Sequence, residues 1–276
     1  MTSHLTPKRE RWLLLTLASI QFTSVLDFMI MMPLGPQLTE LFGISASEFG
    51  FLVSAYTFSA GLSGLLAATY IDRFGRKRMM LTLYPLFGAA ALACSFAPTF
   101  AWLMVARVAS GFFGGVLMAL SQTIVAEVIP FERRGRAMGV VMTSFSVATV
   151  AGVPLALFLA SHFNWHAPFL AIALMVSVCA LGAAKTLPSL KGHLAAHPSG
   201  DSAPNMLANL RLVLVDPNHL RAYAMSASMV FAGFAVIPYI ALYLQGNAGF
   251  KPEQIPYVYL TGGICTLISA RLIGHW

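Results

Sequence analysis

Ile71-Asp72-Arg73-Phe74-Gly75-Arg76-Lys77-Arg78 is a dense cationic turn between two long apolar runs, residues 49–71 and 79–97. Lys and Arg are retained on the cytoplasmic side of a bilayer, so a cluster this tight sets the direction of the runs that flank it. The turn reads as a cytoplasmic loop joining two membrane spans.

The rest of the chain has the same character. It is 58% hydrophobic and only 10% charged, where a soluble domain carries roughly 25% charged residues. Eight apolar stretches stand out, at 12–34, 49–71, 79–97, 100–120, 137–161, 168–187, 221–244 and 257–276. Each is long enough to cross roughly 30 Å of hydrocarbon at about 1.5 Å per helical residue. Lipid leaves no backbone amide unpaired, and the runs lack the alternation of barrel strands, so an all-α membrane protein is expected.

Charge placement gives the orientation. Fourteen basic residues fall before the first span or in the loops after the second, fourth and sixth, whereas the opposite loops hold Lys251 alone. Both chain ends are therefore expected on the cytoplasmic side. The net charge of +7 is explained by these loops and does not call for nucleic acid. The basic start followed by an apolar run imitates a secretory signal, but the run is too long and contains Asp27, so a permanent first span is expected. Cys94, Cys179 and Cys265 lie in apolar stretches and read as small buried hydrophobes, without disulfide or metal spacing. Composition turns polar between Leu187 and Arg221, with Pro188, Pro198, Pro204 and Pro217. The expected organisation is a six-helix bundle over 1–187, a cytoplasmic linker over 188–220, and the start of a second bundle over 221–276.

The loop residues Asp72, Arg73, Gly75, Arg76 and Lys77 resemble the Gly-x-x-x-Asp-Arg-x-Gly-Arg-Arg/Lys motif of the major facilitator superfamily, with Ala68 in place of the leading Gly. Arg107 to Gly111 resembles that family's intramembrane Arg followed by Gly. Gly152-Val153-Pro154 is similar to the Gly-Pro element of its antiporters. Asn164 to Phe169 resembles the entrance to its sixth helix, with His166 in place of Arg. Within the family the chain is most similar to the drug and sugar (arabinose-type) efflux branch. The resemblance implies twelve helices in two halves, a proton as coupling partner, a small-molecule substrate and a bacterial inner membrane. It implies a monomer and no cofactor. Gly274 stands where Ala68 stands in the first half, so on this resemblance the chain stops after helix 8, before the second loop motif. The same resemblance makes Asp72 and its cationic neighbours a gate, with Glu127, Arg133, Arg134 and Arg136 completing the network; the plainer reading is that they only determine topology.

Asp27 and Arg107 are ionisable residues inside expected spans, each about 10 Å below the outer surface. Such residues are costly in lipid and mark function or a structural tie between helices. As a functional pair, Asp27 carries the proton and Arg107, which keeps its own, biases it. Small residues at four-residue spacing, Ser144, Ala148, Gly152, Ala156 and Ala160, form a flat stripe for close helix contact, and Gly111 serves similarly. Pro154 removes one internal hydrogen bond and is expected to bend the fifth span. Gln21, Thr23, Gln122, Tyr239 and Tyr243 are the candidates for lining a substrate cavity.

Two rival readings are weak. Gly61-Leu62-Ser63-Gly64 matches the Gly-x-Ser-Gly of intramembrane serine proteases, but every His falls in a loop or at a span end, so no base is expected near Ser63. His193, His197 and His219 lack a fourth metal ligand. Transport without proton coupling and a nonfunctional fragment stay open.

Overall fold

The computed structural model describes residues 6–71, 74–187 and 215–273. All regular structure among them is helical, and seven helical segments are long and apolar enough to cross a membrane. The first-half helices are α1 (Pro7–Ile30), α2 (Gly35–Phe42), α3 (Ala46–Tyr70), α4 (Arg76–Ser95), α5 (Phe100–Val128), α6 (Phe131–Val147), α7 (Val153–His162) and α8 (Ala167–Thr186). A π-helical turn, Ala148–Gly152, joins α6 to α7 into one span. The second half supplies α9 (Pro217–Phe234), α10 (Ile240–Gly246) and α11 (Ile255–Ile273).

Helix ends follow local chemistry rather than apolarity. Gly43 ends α2 at φ 60°, where a side chain would be strained. Ser45 and Glu48 then close a capping box that starts α3. Thr99 caps α5 by accepting from the Trp102 N–H at 3.2 Å. Asp216 caps α9 by accepting from the N–H groups of Asn218 and His219, which holds its carboxyl below the ordinary range.

The observed helix ends differ from the expected boundaries. The first helix begins at Pro7, not residue 12, and the fourth span runs to Val128, not residue 120. The fifth begins at Phe131 and the seventh at Pro217. Apolar runs mark the hydrocarbon slab, whereas the helix continues until a cap or a proline stops it. Short α2, at the end opposite the basic residues, was not expected. The linker is largely outside the described residues, as are Asp72 and Arg73.

The bundle has an internal symmetry. Helix α1 packs on the α6 span and on α8, just as α5 packs on α3 and on α4, and α4 packs on α8 across the middle. The first three spans thus repeat as the next three, the nested repeat of this fold type. The α3–α5 seam is the tightest: a Cβ on Gly111 would overlap the backbone carbonyl of Tyr56, and one on Gly115 that of Ala60. Where the α6 span packs on α1, Ser144, Ala148, Gly152, Ala156 and Ala160 are all buried, and Gly152 faces Phe22 and Leu26. The stripe is a packing seam within the first half. Pro154 leaves an unsatisfied carbonyl on the preceding turn, and the chain absorbs it as the π turn one turn before the proline.

Candidate functional site

Asp27 sits near the end of α1 and Arg107 two turns into α5, and the packing of α5 against α1 brings them together. Arg107 Nη1 donates to Asp27 Oδ2 at 2.9 Å and to the Asp27 backbone carbonyl at 3.1 Å. Both side chains are 0% exposed. Asp27 Oδ1 and Arg107 Nε and Nη2 are buried without a hydrogen-bond partner among the described residues. A buried ion pair is favourable only when its remaining polar atoms are satisfied, so this one is held at a cost that packing elsewhere must cover.

Tyr56, from α3, completes the enclosure. Its ring lies 4.5 Å from the guanidinium carbon of Arg107, and its hydroxyl reaches the Ser24 carbonyl at 3.4 Å. A cation over an aromatic face is stabilised by about 2 kcal/mol or more when both are out of water. Tyr56 also packs on Phe28 at 5.3 Å, and Phe28 on Phe234 of α9 at 5.5 Å. An aromatic chain therefore runs from the ion pair to the second half. Further contacts of the second half lie on the same far side: α2 meets α10, Tyr239 presses its hydroxyl on Gly50, and Gly263 of α11 sits against Val150.

A cleft of about 520 Å³ is bounded by α1, α6 and α8, and neither Asp27 nor Arg107 lines it. Of the expected cavity residues only Thr23 does, one turn from Asp27, with its hydroxyl 2.9 Å from that of Tyr84. Gln21 is buried in the bundle, Gln122 and Tyr243 are exposed on separate helices, and Tyr239 is half-buried at the α3 contact. Polarity alone does not say which side of a helix faces a cavity.

The basic end also differs from expectation. Arg76 is 2% exposed and donates to Glu127 Oε1 from Nε at 3.0 Å and from Nη2 at 2.5 Å. Its Nη1 donates to the Ile71 carbonyl at 2.6 Å. Arg133, Arg134 and Arg136 do not join this group. Arg133 pairs with Glu10 at 3.1 Å, Arg134 donates to the Ile129 carbonyl, and Arg136 is exposed. The reason is that α5 extends to Val128 and α6 starts at Phe131, which carries Arg133 round the start of α6 to Glu10 of α1. Gly75 precedes α4 and Lys77 is half-buried in its first turn. Glu10, Tyr56 and Tyr84 carry no motif, so only packing reveals their part.

Ser63 is buried at the α3–α5 seam and donates to the Ala60 carbonyl. Residues 17–276 match the model of the Major Facilitator Superfamily. The chain belongs to that superfamily. Major facilitator proteins are transporters rather than enzymes, so the protease reading of Ser63 falls. The chain is similar to the uncharacterized MFS-type transporter YtbD of Bacillus subtilis, 26% identical over 95% of this chain and 64% of that one. It is similar to the purine ribonucleoside efflux pump NepI of Salmonella typhimurium, 29% identical over 90% of this chain and 60% of that one. The chain spans about three fifths of the length of these relatives. Its fold is that of a bacterial homolog to the human lysosomal transporter Spinster, with TM-score 0.74 at 17% identity over 99% of this chain and 65% of that one. It is also that of a D-xylose-proton symporter, with TM-score 0.74 at 16% identity over 98% of this chain and 70% of that one. A multi-pass membrane protein with the major facilitator arrangement, six spans and then the first helices of a second bundle, follows from these likenesses and the helices.

Proposed function

We propose that this protein is a proton-coupled secondary transporter that exports small molecules across a bacterial inner membrane by alternating access. The observation that carries the reading is the enclosed Asp27–Arg107 pair, an acid held in the apolar interior against a cation that keeps its proton. Protonating Asp27 cancels its charge and dissolves the ion pair, so the proton changes how α1 and α5 hold each other. A conformational preference that depends on one proton is what coupling requires. Export is supported by the similarity to an efflux pump, and drugs or sugars are the substrates proposed.

In this reading the basic end is cytoplasmic, with both termini there, and the protein works as a monomer without a cofactor. Residues 1–187 form the first bundle, 188–220 a linker and 221–276 the start of the second. Asp72, Arg73, Gly75, Arg76 and Lys77 form the cytoplasmic gate, with Arg76 braced by Glu127.

One observation favours a second reading, transport without proton coupling. Both members of the pair are fully enclosed, as a purely structural tie between α1 and α5 would be. Reconstituting the intact protein in liposomes, with and without an imposed pH difference, and offering cationic drugs and sugars separates the two. Asp27→Asn is expected to fold but to lose pH-driven transport; undiminished pH-driven transport by that variant rejects proton coupling through Asp27.

A further inference from the structure

We propose that the cleft between α1, α6 and α8 binds neutral, largely apolar molecules that carry a hydrogen-bond donor. The cleft holds about 520 Å³, within the range of small-molecule sites. It contains no charged side chain, and its polar atoms are the hydroxyls of Ser19, Thr23, Thr143 and Ser144 together with the Cys179 thiol.

The hydroxyl hydrogens are already committed. Ser19 donates to the Leu15 carbonyl at 2.9 Å, Thr143 to Gly139 at 2.8 Å, Ser144 to Val141 at 2.5 Å and Thr23 to Ile20 at 2.9 Å. Each is a bond back to the preceding turn of its own helix. A hydroxyl that has spent its one hydrogen still has lone pairs, so the four hydroxyls accept hydrogen bonds rather than donate them, and the Cys179 thiol adds only a weak donor. A ligand with only acceptors would lose its water bonds there without replacement, and a bare cation or anion would meet no counter-charge. A flat apolar body with an O–H or N–H group keeps its donor satisfied and buries the rest against Phe22 and the aliphatic walls.

The inference rests on the transport reading only for regarding the occupant as a substrate. Cys179 lets occupancy be read without any gradient. In the intact protein carrying Cys265→Ser, with Cys94 fully buried, the rate of Cys179 alkylation by N-ethylmaleimide is followed with three probes: 2-naphthol, 2-methoxynaphthalene and tetraphenylphosphonium. 2-Naphthol is expected to slow alkylation, and the ether, which lacks the donor, to do so about five-fold less effectively at equal concentration. Thr143→Val/Ser144→Ala is expected to abolish the difference between the two. Equal protection by naphthol and its ether, stronger protection by the cation, or no protection by naphthol overturns the proposal. If Cys179 alkylates too slowly to time, 2-naphthol fluorescence titrations of the parent and Thr143→Val/Ser144→Ala proteins replace it, and equal binding to both overturns it. A failure of proton coupling in liposomes leaves this result untouched, so the two can fail separately.

Discussion

The ring of Tyr56, from α3, lies over the guanidinium of Arg107, at 4.5 Å from ring centroid to guanidinium carbon. Arg107 is thus held from two directions, by a carboxylate on α1 and by an aromatic face on α3. Tyr56→Phe keeps the face and loses only the long hydroxyl contact to Ser24; Tyr56→Leu loses the face. The leucine variant is expected to be less stable in detergent by about 2 kcal/mol or more and to shift the pH midpoint of transport, whereas the phenylalanine variant shifts neither much. Thermal unfolding and a transport pH profile check both statements.

Removing one member of the buried pair should cost more than removing both. Arg107→Ala strands a carboxylate in the apolar interior, and a loss of about 3–5 kcal/mol is expected. The double variant Asp27→Asn/Arg107→Gln should recover a large part of that. Denaturation of Asp27→Asn, Arg107→Gln and the double variant in the same detergent measures the coupling; a double loss equal to the sum of the two single losses would mean that the two residues are not coupled.

Glycines separate by what surrounds them. Gly111→Val drives methyl groups into the Tyr56 backbone, and a loss of at least about 1–3 kcal/mol is expected because neither helix can retreat cheaply. Gly139→Ala meets nothing within 4 Å and should stabilise α6 by about 0.5–1 kcal/mol through its helix preference. Unfolding midpoints of the two variants should move in opposite directions.

At the basic end the buried Arg76 and the partly exposed Glu127 should be coupled. A double-mutant cycle with Arg76→Gln and Glu127→Gln is expected to give an interaction of about 1–3 kcal/mol. Arg136→Ala, on an exposed turn, should change stability by less than about 0.5 kcal/mol. A null cycle would remove Arg76–Glu127 as a brace for the adjoining loop.

The spans, their helical form and the meeting of Asp27 with Arg107 were legible because membranes allow few solutions. Apolar length fixes a span, and an acid and a base at equal depth in lipid have reason to pair. The small-residue stripe from Ser144 to Ala160 was legible for a similar reason, since close packing in lipid needs small side chains. What was not legible depended on rotation about helix axes. Gln122 and Tyr243 are as polar as Thr23, yet only Thr23 reaches the cleft. Tyr56 is a plain aromatic in a span until α5 brings Arg107 beneath it. Arg133 was grouped with the gate because its loop neighbours are basic, but the extension of α5 to Val128 turns it toward Glu10. Pro154 marked a break correctly, although the backbone resolves it as a π turn at Ala148–Gly152 rather than a simple bend.

Proton release on substrate binding tests the central claim most directly. A substrate identified by the liposome assay is added to the purified intact protein in weakly buffered detergent with a pH indicator, for the native sequence and for Asp27→Asn. The account predicts that binding to the native protein displaces protons into solution at a pH where Asp27 is protonated, and that the Asn variant binds without releasing any. Equal proton release from both proteins, or none from the native one across the pH range of transport, would contradict it.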